Sequence, residues 1–206
     1  MLCAYGIRAD GRRELLDFRL ATAESEAQWE AFLTNLAQRG LEGRPLRLVV
    51  TDGCLGSRRA LEVVYPYVPR QRCWAHKLRN VAAKVPRKAQ AECLKGAKRI
   101  YLAATRREAI RSYWAWAQAW RQTAPKAVAC LEQDMPELLA FLGCPKEHQV
   151  KVRTTNTIER AFREVRRRTR PMSCFNNPAS CQRIIYGVIS HLDQTWGDKP
   201  LREFIH

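Results

Sequence analysis

The feature that most limits what this chain can fold into is the run Leu46-Arg47-Leu48-Val49-Val50-Thr51, which has one charge in six residues and ends at Asp52-Gly53. The run is too short for a stable helix. It is apolar on both of its alternating faces, so as a strand it needs cover from above and below. A strand of that kind belongs in a sheet flanked by helices, and the surrounding sequence agrees. A short helix from Leu55 to Tyr65, an extended segment from Val68 to Cys73 and a basic helix starting near Trp74 follow it. Strands that alternate with helices make the first half of the chain α/β.

Residues 2 to 20 read as a hairpin. An apolar run ends at Ile7, the turn dipeptide Asp10-Gly11 follows, and then Leu16, Phe18 and Leu20 alternate with Asp17 and Arg19. Thr22 is placed to cap a helix whose first turn carries Glu24 and Glu26, whose apolar residues Trp29, Phe32, Leu33 and Leu36 recur at helical spacing, and which stops at Gly40.

Residues 86 to about 146 change character to Ala-rich, charged helices and read as an all-helical insertion. Ile110, Tyr113, Trp114, Ala117 and Trp120 share one stripe there, which is expected to be core rather than a platform for stacking bases. A strongly basic helix from Thr157 to about Thr169 and an apolar helix from Ala179 to Leu192 complete the chain. At 206 residues and 46% hydrophobic the chain can bury one substantial core, so the expectation is one domain over 1–206 that includes the insertion.

Lys plus Arg exceed Asp plus Glu by 36 to 20, a net charge of +16, which attracts polyanions and makes nucleic acid the expected partner. Neither a membrane-spanning apolar run nor a secretory signal pattern is present, so the chain is expected to be soluble and cytoplasmic. The eight cysteines are scattered, which suits reduced thiols rather than disulfides, and the absence of any Cys-x-x-Cys pair excludes a four-cysteine zinc ribbon. A catalytic Ser or Cys triad has no local signature here, since no Gly-x-Ser-x-Gly elbow exists, and without a Gly-rich phosphate loop nucleotide hydrolysis and hydride transfer drop out.

Four groups of residues can carry chemistry. Asp52 stands where a strand runs out into a turn, the position at which open α/β sheets bind ligands; a carboxylate there can hold a metal or simply open the next helix. Glu159 lies in Arg153-Thr154-Thr155-Asn156-Thr157-Ile158-Glu159-Arg160, where Asn156 and Glu159 have capping-box spacing. Asn156, Glu159, Arg163 and Arg166 also share one helical face. Residues 151–170 hold eight cations (Lys151, Arg153, Arg160, Arg163, Arg166, Arg167, Arg168 and Arg170) against Glu159 and Glu164, a density suited to a phosphate backbone or to a solvated face with internal pairs. Cys73 and His76, three apart at a strand-to-helix junction, offer half a zinc site or a structural contact. Lys77 and Arg79 make the following helix basic and suit it to DNA backbone contact.

In combination, the Asp-Gly at a strand end, Gln-Arg-Cys-x-x-His-Lys-x-Arg-Asn at 71–80, and Arg-Thr-Thr-Asn-x-x-Glu-Arg at 153–160 followed by Arg-Arg-Arg-Thr at 166–169 resemble the Mutator-type insertion-sequence transposases. Asp-Gly-Arg-Arg-Glu at 10–14 and Cys-Pro-Lys-Glu-His at 144–148 extend the likeness over the whole chain, in order. The resemblance implies an RNase H-like mixed sheet, with the all-helical insertion before the last catalytic helix. It implies that Asp52 and Glu159 are two of three metal carboxylates and that Cys73 and His76 support the active site or contact DNA. It also implies DNA contacts from Arg153, Asn156, Arg160, Arg163 and Arg166 to Arg168.

The family's first Asp lies on a strand before the hairpin. This sequence starts with what looks like the second strand, so the sheet is expected to lack its first strand and the site one carboxylate. Asp10, in a turn, and Asp17, on a polar strand face, are poor substitutes. The implied chemistry is two-metal phosphoryl transfer with Mg²⁺ or Mn²⁺ on element ends and target DNA, by a homo-oligomer when intact. With two carboxylates, activity is expected to be impaired or absent. A transposase-derived protein that binds DNA without catalysis is the competing reading.

Overall fold

The computed structural model describes every residue except Thr22, Ser173 and His206. The elements in chain order are β1 (Leu2–Ile7), β2 (Arg13–Arg19), α1 (Glu26–Gln38), β3 (Val49–Thr51), α2 (Leu55–Val64), β4 (Arg70–Arg72), α3 (Trp74–Ala82), α4 (Gln90–Leu102), α5 (Arg106–Trp120), α6 (Pro125–Glu132), α7 (Met135–Leu138), α8 (Lys146–Val152), α9 (Asn156–Thr169) and α10 (Pro178–Gly197). They fall into two compact units, one of Met1–Gly43, Cys54–Pro66 and Asn156–His206, the other of Arg44–Gly53 and Tyr67–Thr155. Among the described residues no helix is long and apolar enough to cross a membrane.

The first unit opens on the expected hairpin, with β1 antiparallel to β2 from Leu2↔Arg19 to Ile7↔Arg13 and an irregularity between Ala4 and Tyr5. Gly11 supplies the turn's positive φ of 79°, and Asp10 accepts the Arg12 amide through its side chain. These are the roles that make Asp-Gly a turn signal. Thr22, expected to cap the first helix, lies outside the described residues; α1 starts at Glu26, and the Ser25 side chain accepts from the Gln28 amide.

Helix α1 buries Phe32, Leu33 and Leu36, and α2, which buries Ala60 and Leu61, packs against it. Gly56 permits the approach, since a Cβ there would lie 2.7 Å from the Glu24 carbonyl oxygen. Val165 of α9 joins Ile185 and Ile189 of α10 in a small core, lined by Leu15, Phe18 and Leu20 from the hairpin. The Leu15 amide also donates to the Asp193 carboxylate at 2.6 Å.

In the second unit β3 runs parallel to β4, with Val49↔Arg70, Val50↔Gln71 and Thr51↔Arg72. Residues 54–69 provide the crossover that a parallel pair requires. The core is helical, built from Trp74 and Val81 of α3, Cys93, Ala97 and Ile100 of α4, Tyr113 and Trp116 of α5, Leu131 of α6, and Leu138 and Phe141 after it. The region read as a helical insertion therefore supplies most of this unit's buried surface.

The strand expected at 46–51 is shorter, Val49–Thr51, and its three residues are half-buried. The described strands form two two-stranded sheets, and the chain is mixed α/β and mostly helical.

The aromatic stripe of α5 is also rotated from its expected line. Ala109, Tyr113, Trp116 and Ala117 are buried with Trp120 packed beside them, while Ile110 and Trp114 are exposed. Both lines have helical spacing, and polar partnering chooses between them. The Trp116 indole donates to the Cys93 carbonyl at 2.9 Å, over Gly96, where a Cβ would meet Trp116 Cδ1 at 2.9 Å.

Candidate active site

Asp52 is the first residue past β3, exposed, and followed by Gly53 at φ 86°. That left-handed conformation strains any residue with a Cβ. At this position a Cβ would also lie 2.5 Å from Nε of Arg72, so the turn is pressed against the arginine of the neighbouring strand. The parallel ladder runs one bond further, from the Cys73 amide to the Thr51 carbonyl at 2.7 Å. Asp52 and Cys73 thus stand side by side at the carboxyl ends of adjacent parallel strands, where α/β folds place ligands.

Cys73 caps α3 and is fully buried. Its Sγ accepts from both the backbone amide and the hydroxyl of Thr155, each at 3.3 Å, and Thr155 Oγ1 lies 3.4 Å from Nδ1 of His76. The Trp74 amide binds the Arg153 carbonyl at 3.1 Å. The Cys-x-x-His and Arg-Thr-Thr motifs, about 80 residues apart in sequence, are therefore two halves of one hydrogen-bonded junction in the second unit.

Arg153 is half-buried, its guanidinium 4.9 Å from the Tyr101 ring and donating to the Tyr101 carbonyl at 3.2 Å. Trp74 packs on the same ring at 5.0 Å between centroids and donates from its indole to the Leu138 carbonyl at 2.7 Å.

Lys77 does not make the expected DNA contact. Its side chain is 2% exposed, and its ammonium is bound to the carboxylate of Asp134, which is also 2% exposed. Arg72 donates to the same carboxylate oxygen at 2.8 Å. Position 77 falls on the inner face of α3, and a cation there needs a buried anion instead of a phosphate. Arg79, two residues on, is exposed.

Gln71, fully buried, donates to the Leu138 carbonyl and accepts the Phe141 amide at 2.8 Å. Sequence reasoning missed this network of Gln71, Arg72, Lys77 and Asp134. Gln71 and Arg72 had a signal in sharing the motif with Cys73, whereas Asp134 had none, because its partners lie about 60 residues earlier.

The remaining predicted residues lie on α9 in the first unit. Ala161 and Val165 are its buried positions. Asn156, Arg160, Arg163, Arg166, Arg167 and Arg168 are exposed, and Glu159 is half-buried on the first turn. Arg167 pairs with Glu164, which lowers the pKa of Glu164 through that hydrogen bond and the surrounding arginines. The triple arginine falls in the helix's last turn, where cations also complement the helix dipole. By donor chemistry Asp52 in the second unit and Glu159 in the first each offer carboxylate oxygens of the kind a hard divalent cation takes, while Cys73 offers a sulfur already accepting two hydrogen bonds.

The family model described as "Transposase, Mutator family" matches residues 1–199. The chain belongs to the Mutator family of transposases. It is 38% identical over 197 residues to the transposase for insertion sequence element IS406 of Burkholderia multivorans, covering 95% of this chain and 50% of that protein. Identity to the transposase for IST2 of Acidithiobacillus ferrooxidans is 36%, over 95% of this chain and 66% of that relative. A third relative, the transposase for IS256 in transposon Tn4001 of Staphylococcus aureus, is 32% identical over 200 residues, 94% of this chain and 49% of its own length. The chain thus spans between about half and two-thirds of the length of these relatives. The junction of Cys73, His76 and Thr155 and the Asp52 turn all fall within the matched residues.

Proposed function

We propose that these residues form part of the catalytic core of a DNA transposase that cleaves and joins strands by two-metal phosphoryl transfer, with Asp52 and Glu159 as two of its metal carboxylates. The observation that carries the reading is the placement of Asp52: an exposed carboxylate on a glycine turn at the end of a parallel strand, in a Mutator-family chain. An RNase H-like sheet is part of the same reading, the hairpin and the parallel pair being the kinds of strand pairing that a mixed sheet contains. Mg²⁺ or Mn²⁺, when bound, supplies Lewis acidity to the attacking and leaving oxygens.

The chain's own residues bind and orient. The carboxylates of Asp52 and Glu159 give hard oxygen ligands. The exposed arginines 160, 163, 166, 167 and 168 of α9, with Arg79 of α3, hold phosphates of element ends and target DNA. Two carboxylates hold Mg²⁺ weakly, since it sheds water reluctantly, so DNA phosphates or a further carboxylate from outside these residues would complete the site. The 206 residues by themselves are expected to cleave poorly or not at all. Action as a homo-oligomer belongs to the same proposal.

The test is a Mn²⁺ titration of the purified chain, with and without duplex DNA. Saturable binding that Asp52→Ala and Glu159→Gln each abolish supports the site. If DNA binds equally well with and without metal and neither substitution changes Mn²⁺ uptake, the chain is a DNA-binding protein that does no metal chemistry.

A further inference from the structure

The two motifs that meet in the second unit leave a question that metal ligation by Asp52 and Glu159 does not answer, namely what Cys73 and His76 are for. Cys73 is fully buried, so it cannot touch DNA. Its sulfur faces two donors from a single residue, the amide and hydroxyl of Thr155, at equal distances of 3.3 Å. His76, one helical turn along α3, meets the same hydroxyl from its other side at 3.4 Å. The neighbouring main chain is tied as well, through Trp74 N–H to Arg153 O at 3.1 Å. Arg153 is in turn held on Tyr101 by its guanidinium. Three consecutive residues, 153 to 155, are thereby anchored at both ends to the start of α3, whose cap residue Cys73 donates its own amide to Thr51 of β3.

Thr155 is the last residue before α9, and a peptide bond with one stiff geometry joins it to Asn156. Glu159 follows on the first helical turn. We infer that Cys73, His76 and Thr155 form a clasp that sets where α9 begins, so that Cys73 and His76 act as positioning residues for the carboxylate on that helix.

The spacing of the motif has a physical reason in this account. Residues i and i+3 at a helix start project to the same side, so a Cys at the cap and a His one turn on can grip one hydroxyl between them. A thiol suits the cap position because it lies dry in the core, where a weakly polar acceptor costs less to bury than a hydroxyl. That the clasp serves metal binding rests on the reading of Glu159 given above; that it fixes the start of α9 does not.

Hydrogen exchange on the full chain tests the clasp, and Mn²⁺ alone tests its purpose. Thr155→Val keeps the shape and the amide but removes the hydroxyl shared by Cys73 and His76. It is expected to leave the unfolding midpoint and the salt dependence of DNA binding near wild type, while amides 155–160 exchange about 10-fold faster. Its Mn²⁺ dissociation constant should rise by about 10- to 100-fold, the usual effect of losing a residue that orients a ligand. Thr155→Ser restores the hydroxyl and should restore both measurements. Should Thr155→Val not fold, His76→Phe removes only the imidazole limb and is read on the same amides.

Unchanged exchange at 155–160 in a folded variant overturns the clasp, as does failure of Thr155→Ser to rescue. If exchange responds but the wild-type chain shows no Mn²⁺ binding dependent on Asp52 and Glu159, the clasp stands and the metal reading fails.

Discussion

Asp134 holds two cations in the interior of the second unit, and the consequences of removing it can be worked out residue by residue. Its carboxylate, 2% exposed, receives Lys77, also 2% exposed, and Arg72, 13% exposed, with the arginine at 2.8 Å. Asp134→Asn keeps the volume but leaves two buried cations facing a neutral amide, and breaking a buried pair in this way costs about 3–5 kcal/mol. That is a large fraction of the roughly 5–15 kcal/mol that stabilises a typical domain.

Lys77→Met is the informative contrast. It removes one of the two cations, leaves Arg72 and Asp134 as a balanced pair, and fills the space with an apolar chain. Its expected cost is about 1 kcal/mol or less. Urea unfolding followed by tryptophan fluorescence measures both, since Trp74 and Trp116 report on this core. If Lys77→Met destabilises as much as Asp134→Asn, packing rather than charge balance governs the network, and the argument fails.

Gly53→Ala should lower stability by about 1–3 kcal/mol, because it combines a left-handed φ with a Cβ driven into Arg72; an unchanged denaturation midpoint would refute the need for glycine there. Replacing Arg166, Arg167 and Arg168 by Ala should reduce the log–log salt slope of duplex DNA binding by about 0.9 for each phosphate no longer neutralised. An unchanged slope would take the end of α9 out of the interface. Burial, with Asp17 nearby, pushes the Cys3 thiol up to about 12. An acid whose pKa is raised stays protonated, and the thiolate is the reactive form. Cys3 should therefore resist iodoacetamide at pH 9 while the exposed Cys174 is labelled, as peptide mapping would read.

The hairpin, the helical stretches and the basic α9 were legible because each depends on neighbours within a few residues: Asp10-Gly11 for the turn, and i, i+3 and i+4 spacing for the helices. The placement of Asp52 at a strand end was legible for the same reason. The face of α5 that turns inward was not, because Ile110 and Trp114 fit a helical stripe as well as Trp116 does. The choice falls to Cys93 and Gly96, more than ten residues earlier. Lys77 has the sequence surroundings of a surface cation, and only its meeting in the core with Asp134, 57 residues away, makes it an interior one.

Local order in the sequence determined the family motifs, the element types and the excess of positive charge that suits a polyanion. Tertiary structure alone decided that the Cys-x-x-His element closes on Thr155, that Lys77 is an interior ion, and that the strand before Asp52 pairs in parallel with Arg70–Arg72. Burial and partnering between distant residues decide such matters, because a polar group leaves water only where the fold supplies what it bonds to.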